Sequence, residues 1–510
     1  MQASNLQVWR FMVTAALGLV AVSTHAQPSQ PTVPVAEIAK LYQQHCASCH
    51  GAEREGLMGP ALLPESLDRI RHSEVLKTIQ QGRPATQMAG YATLLTSEQI
   101  ETMAKWLQVA PAKTPQWTAK EMTASHRAFV QPDYGKVKPV FQADPHNLFV
   151  VVEAGDHHVS VLDGDKFTRI ARFQSHFALH GGPKFSPDGR FVYFGSRDGW
   201  VSQYDLYRQQ KVAEIRVGLN TRNVAVSEDG KWVLAGNTLP NTAVLLDAKG
   251  LKLVHTYMVQ NQQGVSSRVS AVYDAAPRQS FIVALKDAAE LWEIPYGDMA
   301  AKPVQPRVIP LEAVLDDFYF DPNYRYVMGA SRSGQGQVLD LNTGRKVADL
   351  PLQGMPHLGS GITFQHNGRM YMASTNLKSP TVTVIDMRDW KVVKDIPIPG
   401  SGFFLRSHEN TPYAWVDSMM SPTAKDTLSI IDKRSLEVVH QLKLRPGKTN
   451  AHVEFTRDGQ YALVSIMENP GELIVVNAKT FQEVATLPMA KPIGKYNVFN
   501  KVTRSEGTSH

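Results

Sequence analysis

The residues of this 510-residue chain with the most specific chemistry are its only two cysteines, Cys46 and Cys49. Both lie in Cys46-Ala47-Ser48-Cys49-His50, and two thiols at this spacing followed by a histidine are the attachment signal of a c-type haem. The thiols bind the two vinyl groups, and His50 then lies beneath the iron as its axial ligand. The alternatives are a redox-active cysteine pair and part of a zinc site, and zinc would need a second pair of ligands that the sequence lacks. The motif therefore predicts one covalently bound haem c.

A second set of residues with haem-binding chemistry lies far along the chain, at equivalent points of a repeat that is described below. It consists of His180, Arg222, Arg268, Asp316 or Asp317, His357, Phe404 with Arg406, and His452. Imidazole is a ligand of haem iron, and arginine binds carboxylates through two parallel hydrogen bonds. Any single member of this set is also explained as a solvated loop residue. Together the three histidines and three arginines predict a site for a second, carboxylate-rich tetrapyrrole.

Two amphipathic segments flank the cysteine motif and are expected to position its haem. Residues Val35 to His45 place apolar side chains at helical spacing and lead into the motif. Residues Thr96 to Gln108 predict a closing helix that begins with a capping box of Thr96 and Gln99. The pattern predicts a small all-α domain over residues 27–112.

Residues 33 to 110 resemble the class I cytochromes c, and this resemblance implies the other axial ligand. That family places a thioether ligand in the loop before the last helix, where this chain has Met88. Met58 lies beside Gly59-Pro60 and corresponds to the proximal loop, while Met103 belongs to the apolar face of the closing helix. An alternative sixth ligand stays open. Methionine opposite histidine raises the reduction potential and favours electron transfer over chemistry at the iron.

The N-terminus has the pattern of an export signal. Arg10 precedes an apolar run from Phe11 to Val22, and Thr24-His25-Ala26 is a passable cleavage site. Residues 1–26 are therefore predicted to be a signal peptide that sends the protein to the periplasm, with an uncleaved membrane anchor as the alternative. No later stretch approaches the roughly 18 apolar residues of a membrane span. The net charge of +6 is too diffuse for a nucleic-acid site.

Beyond the small domain, residues 113–138 read as a Pro- and Lys-containing linker, and residues 139–510 repeat one pattern. Each unit has an apolar run, a polar turn and a β-rich run, and eight units follow one another about 40 to 50 residues apart, which is typical of a β-propeller. Seven blades are the main alternative. The polar turns begin at Asp144, Ser186, Ser227, Asp274, Asp321, Gln365, Ser407 and Thr456. The segment before each turn is expected to be the innermost strand, which directs the second set of residues to one mouth of the central channel.

The order of these domains and three local motifs resemble the cytochrome cd1 family over essentially the whole mature chain. The motifs are Phe177-Ala178-Leu179-His180, Met355-Pro356-His357 followed by Gly359, and Gly494-Lys495-Tyr496-Asn497-Val498-Phe499-Asn500. The resemblance implies a small all-α class I cytochrome c domain followed by an all-β, eight-bladed propeller of the cytochrome d1 type. It also implies that His180 is the proximal ligand of haem d1 and that His357 lies in the distal pocket.

One departure from the family pattern bears on the activity. The nitrite reductases of this family use two distal histidines, and the second should fall near Val314–Phe318, where this chain has no histidine. Proton delivery to nitrite should therefore be severely weakened. The resemblance points instead to the paralogous branch that dehydrogenates dihydro-haem d1, converting a propionate side chain to an acrylate and passing electrons to haem c.

In that reaction His357 would act as the general base, and Arg222, Arg268 and Arg406 would hold the substrate carboxylates. The expected partners are the tetrapyrrole substrate, the cytochrome cd1 nitrite reductase and an external electron acceptor. Two other functions stay open: a nitrite reductase with an altered pocket, and a carrier that binds haem d1 without changing it.

Overall fold

The structure is a computed structural model that describes residues 33–57, 59–67, 70–83, 88–297 and 304–507. The predicted signal peptide, residues 1–26, and Met58 lie outside the described residues. No helix within the described ranges has the length and apolar character needed to cross a membrane.

The N-terminal part is helical, and its two predicted helices are confirmed. Its helices are α1 (Val35–His45), α2 (Ala47–His50), α3 (Pro64–Leu67), α4 (His72–Gln81) and α5 (Ser97–Leu107). The capping box at the start of α5 is present: the Gln99 backbone N donates to Thr96 Oγ1 at 3.1 Å, and the Thr96 backbone N donates to Gln99 Oε1 at 3.0 Å. Met103 is buried in the core with Ile38 and Tyr42, as its position on the apolar face predicts.

The segment predicted as a linker, residues 113–138, contains regular structure. It includes α6 (Ala119–Ser125) and a short strand, Arg127–Ala128, which pairs with the outermost strand of the second blade. Met122 of α6 is fully buried among residues of the second and third blades. This segment therefore packs against the propeller and adds an edge strand to it.

The larger part of the chain forms eight antiparallel sheets among the described residues, which confirms the predicted propeller and its blade number. The first blade contains Leu148–Glu153, His158–Asp163 and Thr168–Gln174, and the second contains Lys184–Phe185, Phe191–Gly195, Trp200–Asp205 and Gln210–Arg216. The third blade contains Asn220–Val226, Trp232–Leu239, Thr242–Asp247 and Leu253–Met258. The fourth contains Val269–Ala275, Ser280–Leu285, Glu290–Pro295 and Arg307–Pro310. The fifth blade contains Asp317–Phe320, Tyr326–Ala330, Gly336–Asp340 and Arg345–Leu350, and the sixth contains Ile362–His366, Arg369–Thr375, Thr381–Asp386 and Lys391–Pro397. The seventh blade contains Leu405–Ser407, Tyr413–Asp417, Leu428–Asp432 and Glu437–Leu442. The eighth contains Asn450–Phe455, Tyr461–Ile466, Gly471–Asn477 and Glu483–Met489.

The polar turns join the first and second strands of their blades because their side chains satisfy the turn backbone. In the second blade, Ser186 Oγ accepts from the Phe191 backbone N at 2.9 Å, and Gly189 supplies a φ of 71°. Such a positive φ favours glycine. Neighbouring blades then pack through their aliphatic faces, as where Val212 and Ile215 meet Val233 and Val244.

The first blade differs from the expected pattern. Its innermost strand is Pro492–Asn497 from the C-terminus, which pairs with Leu148–Glu153, so the segment before the first polar turn is not an inner strand. That turn instead forms a short 3-10 helix, Pro145–Asn147; two others are Ala276–Arg278 and Leu358–Ser360. Pairing of the two ends of the chain within one blade closes the ring of blades.

The last helix, α7 (Val498–Val502), follows the closing strand, and its Lys501 and Val502 line a cavity. The volume of this cavity is about 530 Å³. Lys184, Tyr273, Tyr319 and Lys501 are among the residues that line it.

Candidate functional site

The cysteine motif has the geometry that covalent haem attachment needs. Cys46 and Cys49 are half-buried free thiols at the start of α2 and within it. His50 Nδ1 lies 2.8 Å from the Pro60 backbone oxygen, and since a carbonyl only accepts, Nδ1 carries the proton and Nε2 is left to bind iron. A Cβ on Gly59 would lie 2.7 Å from His50 Cε1, so this glycine makes room for the ring. These residues fit a haem c.

Met88 lies in the segment before α5 and is half-buried. Its backbone oxygen accepts from the Arg83 backbone N at 3.0 Å. Residues 84–87 of the same loop lie outside the described residues. The role of Met88 as an axial ligand therefore stays a prediction.

His180 presents one ring nitrogen for ligation, in the loop before the inner strand of the second blade. Its Nδ1 lies 2.7 Å from the Arg222 backbone oxygen, which fixes the proton on Nδ1 and leaves the lone pair on Nε2. The guanidinium groups of Arg197 and Arg222 donate to this Nε2 at 2.9 and 3.1 Å. An imidazole with a lone pair on Nε2 and two adjacent guanidinium groups fits an iron tetrapyrrole with carboxylate side chains.

Arg197 is a site residue that the sequence does not single out. It lies in the turn after the second strand of the second blade, where its backbone N donates to the Ala178 oxygen at 3.1 Å. Ala178 has a φ of 48°, which turns the loop before His180 toward this position. A comparison of inner-strand positions alone misses Arg197 because it belongs to another part of the repeat.

Arg222 lies on the inner strand of the third blade and contacts residues of the second, fourth and fifth blades. Its Nε donates to the Ser270 oxygen at 2.5 Å, and its Nη2 lies 3.9 Å from Asp317 Oδ2. Tyr273 donates from its hydroxyl to Asp317 Oδ1 at 2.7 Å. Burial, and then the Asp317 charge, raise the pKa of Tyr273 well above its ordinary value. Asp317 thus lies in the segment where the resemblance would place a second distal histidine, and the Tyr273 phenol of the fourth blade is hydrogen-bonded to it.

His357 lies on the loop before the inner strand of the sixth blade. Its Nδ1 is 2.9 Å from the Phe403 oxygen, and the two rings lie 3.9 Å apart. Burial lowers the pKa of His357, although the Asp317 charge opposes the shift. The ring is therefore neutral near pH 7, with its lone pair on Nε2, which is the state that a general base needs.

Arg406 of the seventh blade and His452 of the eighth blade both contact the ring of Phe404. Arg406 is 3% exposed, donates to its neighbour's oxygen, and lies 5.8 Å from the Phe404 ring centroid. His452 is 1% exposed and lies between Phe404, at 4.5 Å, and Tyr496, at 5.2 Å.

Within the described residues, neither ring nitrogen of His452 has a hydrogen-bond partner. Burial, and then the charges of Lys495 and Arg406, lower the pKa of His452 well below its ordinary value. Since buried polar atoms are normally paired, an imidazole in this state is a functional candidate.

Arg268 is engaged elsewhere. Its Nη2 and Nε donate to the two carboxylate oxygens of Asp287 at 2.6 and 2.9 Å. The structure thus links His180 directly with Arg222, places His357 against Phe403, and groups Arg406 with His452. Arg268 is joined to a carboxylate of its own blade.

Comparisons with known proteins give the families that the two parts of the chain match. Residues 143–501 match the family model of the cytochrome D1 haem domain, and residues 33–107 match that of the cbb3-type cytochrome c oxidase subunit III. The chain is 54% identical over 474 residues to the dihydro-haem d1 dehydrogenase of Pseudomonas aeruginosa, covering 92% of this chain and 95% of that protein. It is 25% identical over 545 residues to the nitrite reductase of Stutzerimonas stutzeri, covering 95% and 96%.

A solved structure is similar to that of this chain over most of its length. It is that of the dihydro-haem d1 dehydrogenase NirN in complex with DHE, and the TM-score is 0.87 at 53% sequence identity. The match covers 91% of this chain and 99% of that one.

Proposed function

This chain belongs to the cytochrome d1 family, in its dihydro-haem d1 dehydrogenase branch, and from that membership we propose that it completes haem d1 by oxidising a propionate side chain of dihydro-haem d1 to an acrylate. The reaction turns a CH2–CH2 unit into CH=CH and releases two protons and two electrons. The observation that carries the proposal is that two histidines lie near one arginine: Arg222 donates to His180 Nε2 at 3.1 Å, and its charge adds to burial in lowering the pKa of His357.

His180 and its neighbouring arginines bind and orient the substrate. His180 Nε2 ligates the substrate iron, because its Nδ1 is held by the Arg222 oxygen at 2.7 Å. The guanidinium groups of Arg197 and Arg222 then exchange Nε2 for substrate carboxylates, which bind arginine more strongly than a neutral imidazole does. Arg406 and Arg268 are weaker candidates for this role, since the first is almost fully buried and the second is bonded to Asp287.

His357 takes a proton from the saturated side chain at Nε2. Its Nδ1–H donates to the Phe403 oxygen at 2.9 Å, so the ring keeps the tautomer with a basic Nε2. His452 is the alternative base, since it is also neutral. Cys46, Cys49, His50 and Met88 would hold haem c, which would supply a one-electron acceptor for these electrons.

Incubation of the purified holoprotein with dihydro-haem d1 without oxygen, followed by mass spectrometry of the extracted pigment, tests the proposal. A loss of two hydrogens together with reduction of the haem c absorption bands is expected. An unchanged mass despite tight binding would identify a carrier instead. Steady consumption of nitrite with an electron donor would identify a nitrite reductase.

The cellular setting follows from the same reasoning. The predicted export signal, residues 1–26, and the c-type attachment motif support a periplasmic protein. The completed pigment would pass to the cytochrome cd1 nitrite reductase, and the electrons to an external acceptor. Co-purification of the holoprotein with the reductase from a periplasmic extract, and its loss when the pigment is absent, would support that transfer.

A further inference from the structure

A buried arginine joins the haem c domain to the propeller. Arg216 ends the outermost strand of the second blade and is 3% exposed. Its Nη2 donates to the Glu55 oxygen at 2.7 Å, and its Nη1 donates to the Gly56 oxygen at 3.1 Å. Its Nε donates to the Asp198 oxygen at 2.9 Å. One guanidinium therefore binds backbone carbonyls of both domains.

The carbonyls on the haem c side belong to the loop that follows the attachment motif. The Gly56 backbone N donates to the His50 oxygen at 2.8 Å, and the Leu57 N donates to the Cys49 oxygen at 3.2 Å. Arg216 binds the oxygens of Glu55 and Gly56, and the same short stretch of backbone donates the two hydrogen bonds to Cys49 and His50. A displacement of Arg216 would therefore be passed directly to the residues that hold the haem.

The carbonyl on the propeller side belongs to Asp198, which lies next to the proposed tetrapyrrole site. Asp198 follows Arg197, and the Arg197 Nη2 lies 2.9 Å from His180 Nε2. Arg216 thus connects the loop beside haem c with the turn that contacts the iron ligand of the channel mouth.

Arg216 is itself held in place from the segment between the domains. Its guanidinium carbon lies 4.5 Å from the centroid of the Trp117 ring, and Trp117 Nε1 donates to the Arg216 oxygen at 2.8 Å. The Arg216 backbone N donates to Ser125 Oγ at 2.9 Å. Beside it, Ala61 and Leu63 of the haem c domain pack against Leu219. Burying a cation costs free energy, so an arginine kept here is better explained by a positioning role than by stability.

We propose that Arg216 is the positioning residue that docks the haem c loop onto the second blade and thereby sets the rate of electron transfer between the tetrapyrrole and haem c. In each event the tetrapyrrole loses one electron and ferric haem c gains it, with no bond made or broken. The identity of the electron donor rests on the proposed function, whereas the docking role does not.

The test uses Arg216→Lys and Arg216→Met in the full-length protein with haem c attached. The matched control is Arg190→Lys, because Arg190 is equally buried in the same blade but binds Asp205 and the Gly135 oxygen. Haem d1 itself is bound, so that no dehydrogenation is required. Haem c is reduced rapidly and its electron is followed to haem d1; this is the reverse of the proposed transfer, but it depends on the same docking of the two domains. Hydrogen exchange of residues 54–63 is measured in the protein without tetrapyrrole.

Since a misplacement of about 1 Å can cost roughly a hundredfold where a reaction depends on positioning, we expect Arg216→Met to slow the transfer by about tenfold or more. Arg216→Lys should slow it less, because a lysine lacks the fork that binds several carbonyls at once. Exchange in residues 54–63 should rise in both variants, with haem d1 affinity and the haem c potential unchanged. Arg190→Lys should change neither the transfer rate nor this exchange.

An unchanged rate and unchanged exchange in Arg216→Met would overturn the proposal, as would a loss of haem d1 binding without a change in exchange. If Arg216→Met does not fold, an unchanged rate in Arg216→Lys has the same force. A slowed transfer in a protein that leaves dihydro-haem d1 unchanged would support the docking role while refuting the proposed dehydrogenation.

Discussion

The Nε2 atom of His180 accepts a hydrogen bond from the Arg197 guanidinium at 2.9 Å, so a cationic group lies where an iron ion would bind. Since Nδ1 is committed to the Arg222 oxygen, Nε2 is the nitrogen left for ligation. If His180 ligates the substrate iron as proposed, binding displaces the guanidinium groups of Arg197 and Arg222 from Nε2 and makes them available to the substrate carboxylates.

We expect Arg197→Met to weaken binding of haem d1 by about tenfold or more, because a hydrogen bond to a charged group contributes roughly 1.5–3 kcal/mol. Absorption titration of the holoprotein measures this affinity. Arg325→Met is the control, since Arg325 pairs with Asp340 in the fifth blade. Tighter binding in Arg197→Met would mean that this arginine only competes with the iron.

His357→Ala should keep haem d1 affinity within a few-fold and lose dehydrogenation by about a hundredfold or more, the usual contribution of general acid–base catalysis. The loss is expected because the Nδ1–H of His357 donates to the Phe403 oxygen, which leaves the lone pair on Nε2 to take the proton. Single-turnover mass spectrometry of the pigment measures the rate. His366→Ala, at the far end of the same inner strand, is the control. Full activity in His357→Ala would leave His452 as the base.

His452→Leu should keep or raise the melting temperature, since both nitrogens of this buried ring are without partners among the described residues. An unpaired buried polar group costs about 1–3 kcal/mol, and an apolar side chain of similar size removes that cost. Calorimetry of the holoprotein measures the change. Activity lost at unchanged stability would assign His452 to the reaction, whereas a fall of several degrees would assign it a structural role.

Much of this arrangement is local in the sequence and could be predicted from it. The haem c motif, the helices on either side and the capping box of Thr96 and Gln99 depend on residues a few positions apart. The eight blades are visible because each repeats the same turn. The repeat also predicts that its histidines and arginines face one end of the channel, and among them His180 and Arg222 are in direct contact.

The remaining features depend on contacts between distant segments. The closing strand pairs Val150 with Tyr496, and no local pattern announces that partnership. Arg197 reaches His180 from a different turn of the same blade, and Arg216 reaches Glu55 across a domain boundary. The sequence indicates the chemistry of each of these side chains, but it does not indicate which residue each one contacts.

Gly59→Ala should disturb haem c without disturbing the propeller. The added Cβ would lie 2.7 and 2.8 Å from His50 Cε1 and Nδ1, and the ring has no room to turn because Nδ1 is bonded to the Pro60 oxygen. We expect a shifted haem c potential or incomplete attachment, measured by redox titration and by the haem content. Gly135→Ala, whose Cβ would meet only the movable Asp133 carboxylate, is the control. An unchanged potential and full haem content would contradict this account of His50.

Asp274, which lines the cavity of about 530 Å³, should make the stability of the protein depend on pH. Burial raises the pKa of its carboxyl from 3.8 to about 7; the Tyr296 hydroxyl, which donates to Oδ1 at 2.7 Å, and Arg504 oppose the shift, while Glu228 and Asp229 add to it. The folded protein therefore holds a proton between pH 3.8 and 7 that the unfolded chain has released. Its contribution to stability is complete below pH 3.8 and is lost as the pH rises through 7.

Asp274→Asn keeps an acceptor for Tyr296 and cannot ionise, so its free energy of unfolding relative to the wild type should increase between pH 5 and pH 8. Denaturant titrations at the two pH values measure this difference. Asp340→Asn is the control, because the pKa of Asp340 is shifted in the opposite direction. Burial acts to raise this pKa, but Arg325 and backbone amides bring it below its ordinary value. Asp340 is therefore ionised throughout this range, and its variant should be less stable by the same amount at both pH values. A relative stability of Asp274→Asn that does not change with pH would mean that the Asp274 carboxyl is already ionised at pH 5.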